Sequence, residues 1–453
     1  HKDSDMRIMT SFRSALAGAL LATVSVRAAG GHEHGANCDH GHAAGQPKFQ
    51  TTCPVKGGRA RRDCFADKDG LRVYLCSATC SQTFAEDPAK YIGKLKEQGI
   101  TFTTEADEHQ AIRERVGLMD WSSTGEFEVK GPDALEVVQG LIVNDASTMP
   151  VNRVLYTTIL EEDGGILSDI TVYRLGEDHY MLMTAWGSNA ADERPEYELL
   201  REACRGRNAY AFDASPGTGL LALQGPQSRA LLAELMSADR QRADLDGLPY
   251  MWALPEQVAG VRALISRTGY TGELGYEILV PAEHACDVWQ ALTEAGEKYG
   301  LALCGLVAAF GLRIEKGYIM RFDFAGGRTP YEVGLGWTVK LDKGDFLGRE
   351  ALIQRKEAGF AEQLVSVALQ DQYGPATGDA ILPAGKPAGK PVGAVTSAAY
   401  GYAVQKPIAL AYLPLSLAQV GTRVAVQDGD GDLHSAEVGP RSPYDPEGIR
   451  LRS

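Results

Sequence analysis

The sequence predicts an α+β protein with a small Cys-rich module toward its N-terminal end and a small β-barrel at its C-terminal end. Three observations carry that expectation. From about Glu105 onward, strands and amphipathic helices mix and antiparallel hairpins are prominent, which favours α+β over a doubly wound sheet. After Lys356, short strands separated by Gly and Pro follow one another without helices, as in a small barrel. Cysteine is uneven: Cys38, Cys53, Cys64, Cys76 and Cys80 fall early, whereas Cys204, Cys286 and Cys304 are scattered and read as ordinary core thiols.

A chain of 453 residues exceeds one ordinary core, so about two to four domains are expected. An apolar fraction of 44% is that of a globular protein, and a net charge of -14 argues against a nucleic-acid partner.

Residues 1–30 form a targeting segment. With Met6 or Met9 as the start, arginines precede an apolar run from Ala15 to Val26, and Val26-Arg27-Ala28 follows a cleavage pattern. This predicts a secretory signal peptide too short to span a membrane, with no transmembrane span in the mature chain and a periplasmic location. The stretch contains Ser and Arg but no acid after Asp5, so a mitochondrial transit peptide is the alternative. Residues 31–50 are Gly-rich and unpatterned, a linker whose His32, His34, His40 and His42 flank Cys38 and offer loose borderline-metal ligands or simply a solvated spacer.

Residues 51–98 form a compact module: a turn-rich start, the strand "LRVYLC", a helix from Ser77 and the "DPAKYIGKL" turn and helix. Cys76 and Cys80 are spaced i, i+4 and share one side of a helix start, so with Cys53 three thiolates can converge on one ion. Cys53-Pro54-Val55, Gly57-Gly58, Tyr74, Cys76, Cys80, Phe84 and "DPAKY" at 87 to 91 together resemble the YHS/TRASH metal-binding modules. The tyrosine-histidine-serine triplet of that family is absent, and Cys64 is the nearest candidate for a fourth ligand. The set suits zinc or another thiophilic metal such as copper or iron. A pair of disulfides is the competing reading; metal is favoured because Cys-x3-Cys on a helix turn is a poor disulfide span.

Residues 105–356 begin with the strand "GEFEVKG", the helix "PDALEVVQGLIV" and three strands within "NRVLYTTILEEDGGILSDITVYRLGEDHYMLMTA". No Gly-x-Gly-x-x-Gly follows a strand, so a dinucleotide site is not supported. Further on, "RTGYTGELGYE" at 267 to 277 has three glycines and reads as a hairpin or a ligand clamp. Residues 357–453 form the barrel, with strands in "EQLVSVALQ", around Pro391 to Tyr400, in "IALAYLP" and in "TRVAVQDG"; "LPAGKPAGKPVGA" is a loop between strands.

Four stretches in order, "GEFEVKGPDAL…LIVND", "LYTTILEEDGGILSDITVYRL", "SRTGYTGELGYEI" and "LRIEKGY…TPYEVGLGWTVKLDKGDFLGREAL", resemble the folate-binding aminomethyltransferase family: the glycine cleavage T-protein and the related domains of dimethylglycine and sarcosine dehydrogenases. The "EKGY" and "TPYEVGLGW" wording leans toward the dehydrogenase-linked domains. The resemblance implies a three-domain ring around tetrahydrofolate. It makes Asp169 the catalytic acid, with Ser168 where the family has a first aspartate. Tyr156 and Tyr270 become folate-wall residues, Glu277 the acid that pairs with the pterin, and Arg313 and Tyr318 further cofactor-site positions. On its strand, Asp169 reads equally as an exposed edge acid. Glu277 shares parity with Gly275 and Leu279, and a carboxylate on such a face needs donors, from a pterin or from an internal salt bridge to Arg267.

Departures from the family bear on the substrate. The folate-contacting asparagine falls near Ala185 in "TAWGSN"; the "GARD" arginine is replaced in "GLVAAFGLR"; and the Gly-x-Asp turn is "RFDF". The opening Phe-x-Gly-Trp segment is lost where the Cys-rich module joins. These changes argue against glycine cleavage itself, and "EKGYIM" lacks the cysteine of the iron-sulfur assembly relatives. The expectation is a one-carbon transferase that takes an aminomethyl or methyl group from a small donor. A partner oxidoreductase or carrier protein would serve any oxidation, since the chain shows no flavin-binding half. The alternative is a metal-binding or delivery protein on a retained scaffold.

Overall fold

The computed structural model describes residues 52–58, 60–68, 71–98, 104–185, 195–385 and 389–453. The leader, the His-rich linker with Cys38, the asparagine region after Ala185 and the middle of the "LPAGKPAGKPVGA" loop lie outside the described residues. The chain divides into two compact units, 1–107 and 108–453. Among the described residues no helix is long and apolar enough to cross a membrane.

In the first unit, β1 (Arg61–Lys68) and β2 (Leu71–Leu75) form an antiparallel pair, followed by α1 (Ala78–Glu86) and α2 (Pro88–Glu97). Two caps fix the helices. Ser77 precedes α1 with extended backbone and its side chain accepts from the Cys80 N–H, while Asp87 accepts from Lys90 N–H with Pro88 at the first helical position. Cys53, Val73, Leu75, Cys80, Phe84, Tyr91 and Leu95 are buried together as its small core.

The second unit is built on three sheets. Helix α3 (Glu105–Glu114) leads into β3 (Gly117–Asp120), β4 (Gly125–Lys130) and α4 (Ala134–Leu141). Next come β5 (Val154–Leu160), β6 (Ile166–Gly176), β7 (His179–Thr184), α5 (Pro195–Ala203) and β8 (Tyr210–Asp213). The five-stranded sheet runs β5-β6-β7-β4-β8 and buries Phe127, Val129, Ile170, Val172 and Leu182 beneath α4, whose Val137, Val138 and Leu141 recur at helical spacing.

The following elements are β9 (Thr218–Gln224), α6 (Ser228–Glu234), α7 (Asp239–Gly247), β10 (Ala253–Val258), β11 (Val261–Ser266), β12 (Gly275–Pro281), α8 (Ala285–Gly296) and β13 (Ala302–Leu303). Their six-stranded sheet runs β10-β11-β12-β9-β3-β13. Helix α9 (Leu306–Lys316) is buried along most of its length and ends at Gly317 in the left-handed region (φ 73°). The residues 267–274 between β11 and β12 are a longer connection than a tight hairpin, so Tyr270 stands on a loop while Glu277 stands on a strand paired with Ser266.

After α10 (Arg349–Ala358), six strands close into a barrel: β14 (Glu362–Leu369), β15 (Ala380–Pro383), β16 (Gly393–Gly401), β17 (Lys406–Pro414), β18 (Arg423–Gln427) and β19 (Leu433–Gly439). Their spatial order is β14-β17-β16-β15-β18-β19. Sequence patterning misses β15, a four-residue strand that runs into proline, and β19, where only Ala436 and Val438 mark the inward face. The later cysteines need one correction: Cys286 is exposed on the first turn of α8, whereas Cys204 and Cys304 are half-buried.

Candidate active site

Asp169 lies mid-strand on β6, opposite Thr158 of β5. It is half-buried and accepts the Tyr156 hydroxyl at 2.9 Å. Burial pushes its carboxyl up to about 6, against the opposing effect of the Tyr156 hydrogen bond. An exposed edge acid is therefore not what the fold provides. Strand alternation puts Asp169, Thr171 and Tyr173 on one face, while Ser168, opposite Ile159, points to the other. An acid at position 168 would thus face away from Asp169, and the serine there removes no charge from the Asp169 face.

The three glycines of "RTGYTGELGYE" shape the neighbouring wall. Gly272 has φ 82°, and a Cβ there would come within 2.8 Å of the Lys316 side chain. Gly269 and Gly275 leave room for the fully buried Gln224, whose side-chain amide donates to Thr268 O at 3.1 Å and accepts from Thr271 Oγ1 at 2.8 Å. The Tyr270 ring so held stacks on Tyr318 with centroids 5.7 Å apart, meets Trp121 edge-on at 5.8 Å, and its hydroxyl donates to Ile319 O.

Glu277 is buried and accepts the Thr268 hydroxyl. Burial raises its pKa, and among the described residues no cation stands beside it. The expected alternative partner, Arg267, turns elsewhere: it donates to Leu248 O at 2.8 Å and to Ser453 O at 2.5 Å. The Tyr173 hydroxyl stands against Glu277 and opposes the effect of its burial, while Trp121 Nε1 and Thr158 Oγ1 are buried without a hydrogen-bond partner among the described residues. Buried donors and acceptors left open around two carboxylates fit a polar ligand rather than a sealed core.

Arg313 and Tyr318 occupy different places. Arg313 is fully buried in α9 and spent within the protein: its guanidinium pairs with Asp323 at 2.5 Å and donates to Ser397 Oγ at 2.7 Å and Tyr318 O at 3.0 Å. It holds the Tyr318 carbonyl, and its charge opposes the effect of burial on Asp169 and Tyr270. Asp323, from "RFDF", also accepts from Thr396 Oγ1 and Ser397 Oγ and so ties α9 to the barrel. Motif reading assigns nothing to Asp323, whose barrel partners Thr396 and Ser397 lie more than 70 residues onward in the chain.

A second buried network braces the Tyr270 loop. Arg113 on α3 donates to Thr271 O at 2.7 Å and pairs with Glu273 at 3.2 Å and Glu315 at 2.6 Å, and its guanidinium lies 3.8 Å from the Tyr444 ring centroid. Glu315 also meets His109 at 2.9 Å and accepts Ala403 N–H at 2.8 Å.

This fold and this set of residues have known counterparts. The GCVT N-terminal domain model matches residues 78–343, and the glycine cleavage T-protein C-terminal barrel domain model matches residues 363–445. An aminomethyltransferase of Streptomyces coelicolor is 40% identical over 344 residues, covering 75% of this chain and 89% of that protein. The chain belongs to the glycine cleavage T-protein family. Another aminomethyltransferase, from Halothermothrix orenii, is 37% identical over 72% of this chain and 88% of its own length. The crystal structure of the glycine cleavage system aminomethyltransferase T from Bartonella henselae superposes with a TM-score of 0.67 at 27% identity, over 77% of this chain and 90% of that one. As a T-protein family member the chain is an enzyme of the aminomethyltransferase type. These relatives carry the aminomethyltransferase name rather than that of the dehydrogenase-linked domains toward which the sequence wording leans.

The first unit of this T-protein relative brings Cys53, Cys76 and Cys80 together, with their sulfurs all within 4.8 Å of one another. Tetrahedral zinc–sulfur bonds of about 2.3 Å set sulfurs about 3.8 Å apart; the Cys76 and Cys80 sulfurs are 3.5 Å apart, and a small closure of the cluster brings all three onto one thiophilic ion. Burial pushes the Cys53 thiol up, but the N–H groups of Lys56, Val55 and Cys76 together hold it below its ordinary value. Cys64 stands apart, its sulfur 3.7 Å from Ser81 Oγ and outside the cluster. The expected fourth ligand is not brought in.

Proposed function

We propose that the chain transfers a one-carbon unit, as an aminomethyl or methyl group, from a small donor to tetrahydrofolate. The observation that carries this reading is Glu277, a buried carboxylate with no cation beside it among the described residues and only the hydroxyls of Thr268 and Tyr173 against it. An amino-pyrimidine supplies the donors such an acid needs. Bound tetrahydrofolate would supply the amine that takes the one-carbon unit. The rest belongs to the chain. Glu277 fixes the pterin edge, Tyr270 and Tyr318 wall it and exclude water, and Tyr156 holds one oxygen of Asp169. Asp169, with a proton affinity near neutrality, orients the reacting amine and takes up or returns its proton.

The donor is a small methylated or aminomethylated molecule, free or presented on a carrier protein, with a partner oxidoreductase where oxidation is needed. The leader directs the chain to the periplasm, or to the mitochondrial matrix if it acts as a transit peptide. A reduced folate titrated into the purified protein and its Glu277→Gln form tests the reading. The wild type binds and the variant loses at least about tenfold; equal affinity, or none in either, overturns it.

The thiol cluster supports a second activity in the same chain, capture of zinc or another thiophilic metal by Cys53, Cys76 and Cys80. If the folate site is silent, this becomes the reading of a metal-binding or delivery protein.

A further inference from the structure

We propose that Glu126 is a positioning residue for the pterin wall: through Thr124 it holds the turn that carries Trp121, and it does so only while its carboxyl keeps a proton. The inference rests on the folate reading above. Glu126 stands on β4 and is 1% exposed, a buried acid that the folate reading leaves without a task. It lies on the Tyr156 face of the five-stranded sheet: Glu126 is opposite Met183 on β7, Met183 opposite Thr171 on β6, and Thr171 opposite Tyr156 on β5. Three strand spacings put it roughly 14 Å from Tyr156, too far to touch the reacting atoms.

The contacts of Thr124 report the state of that acid. The Thr124 hydroxyl lies 2.5 Å from Glu126 Oε1 and 3.0 Å from the Trp121 carbonyl, two acceptors when the carboxyl is ionised. A hydroxyl has one proton to give. Both contacts are hydrogen bonds only if Glu126 supplies the second proton, donating to Thr124 Oγ1 while Thr124 donates to Trp121 O. The rest of the surroundings agrees. Burial, with the like charge of Asp213 on β8 adding to it and the hydroxyls of Thr124 and Ser215 opposing it, brings the carboxyl up to about 7. Ser215 Oγ also accepts the Glu126 N–H at 2.9 Å, so the strand backbone is fixed beneath the acid.

The turn from Trp121 to Thr124 joins this acid to the site. Thr124 N–H donates to Trp121 O at 3.1 Å, and Trp121 N–H donates to Leu220 O at 2.9 Å. The indole packs against the buried clusters that contain Met183 and Leu312 and meets the Tyr270 ring edge-on at 5.8 Å. When Glu126 loses its proton, the Thr124 hydroxyl turns to the carboxylate and the Trp121 carbonyl keeps only the Thr124 N–H. The indole edge loosens against Tyr270, and the pterin wall weakens as pH rises through neutrality. Pterin affinity is thus tied to pH by a residue that touches no ligand.

The test uses the full chain in two arms. Without ligand, tryptophan emission of the wild type is expected to show a step near pH 7. Glu126→Gln, whose amide donates to Thr124 at every pH, should lack the step, as should Trp121→Phe. With tetrahydrofolate, calorimetry should give Glu126→Gln and wild type equal affinities at about pH 6 and a variant roughly fivefold tighter at about pH 8, the weight of one ordinary hydrogen bond. Asp169 and Glu277 titrate in both proteins and cancel in that ratio. Should Glu126→Gln fail to fold, Thr124→Val is expected to lose the emission step and Thr124→Ser to keep it. A step that survives in Glu126→Gln or Thr124→Val, or an affinity ratio that does not change with pH, overturns the positioning role. A wild type that shows the step yet binds no reduced folate overturns the folate reading and leaves Glu126 a brace of the Trp121 turn alone.

Discussion

The carboxamide of Gln224 lies where a side chain on Gly275 would stand: a Cβ there would be 2.4 Å from its Cδ, and the same amide is 2.1 Å from the Cβ position of Gly269. A glycine of the loop and the first glycine of β12 are thus fixed by one buried residue on β9. Gly269→Ala is expected to destabilise by about 1–3 kcal/mol, because the amide must leave Thr268 O and Thr271 Oγ1. Urea unfolding of Gly269→Ala, Gln224→Ala and the double variant checks this. The double variant should be less destabilised than the sum of the singles, and strict additivity would refute the coupling.

Asp169→Asn should lower turnover by about 10²–10⁴-fold. In the wild type the carboxylate fraction grows as pH rises through about 6, so turnover should fall on the acid side with an apparent pKa near 6. The residual rate of the variant should lack that limb, and a limb that survives in Asp169→Asn assigns it to another group.

Glu277 is expected to make the protein less stable than an amide would. Its carboxyl is raised by burial, so the native state holds that proton above the ordinary range of about 4.3. The associated stability is complete below that range and lost as pH rises through the raised value. Glu277→Gln should therefore unfold at higher temperature than wild type at pH 8, with the difference shrinking toward pH 4. A variant less stable than wild type at pH 8 would show that Glu277 has a stabilising partner.

Arg113→Gln leaves Glu273 and Glu315 buried without their guanidinium and should cost about 3–5 kcal/mol. Differential scanning calorimetry should show the drop. His109→Gln, which keeps Arg113 in place, should lose less. Equal losses would mean that the histidine carries as much of the network as the arginine.

For the thiol cluster, metal content of the purified chain should be close to one ion per molecule, fall with Cys76→Ser and persist in Cys64→Ser. Loss in both variants would bring Cys64 into the ligand set.

Much of this was legible in the chain itself. Period-two and helical patterning located β4 to β7, α4 and the barrel strands β14, β16, β17 and β18, because each buries one regular face. The ordered motifs located Asp169, Tyr156, Tyr270 and Glu277. Spacing alone paired Cys76 with Cys80, although Cys76 stands in the bend before the Ser77 cap and only Cys80 is on the first turn of α1. Local chemistry determines such features: alternation, caps and glycine conformation act within a few residues.

Tertiary structure decided what those residues meet. That Arg267 leaves Glu277 alone, that Arg313 is consumed by Asp323 and Ser397, that Gln224 fills the space above two glycines, and that Cys64 stays out of the cluster all depend on contacts between distant segments. A carboxylate changes meaning with its neighbours: beside a cation it is a brace, and buried without one it calls for a ligand. Sequence supplied the two acids, Asp323 and Glu277; only the fold determined which of them is a brace and which remains open.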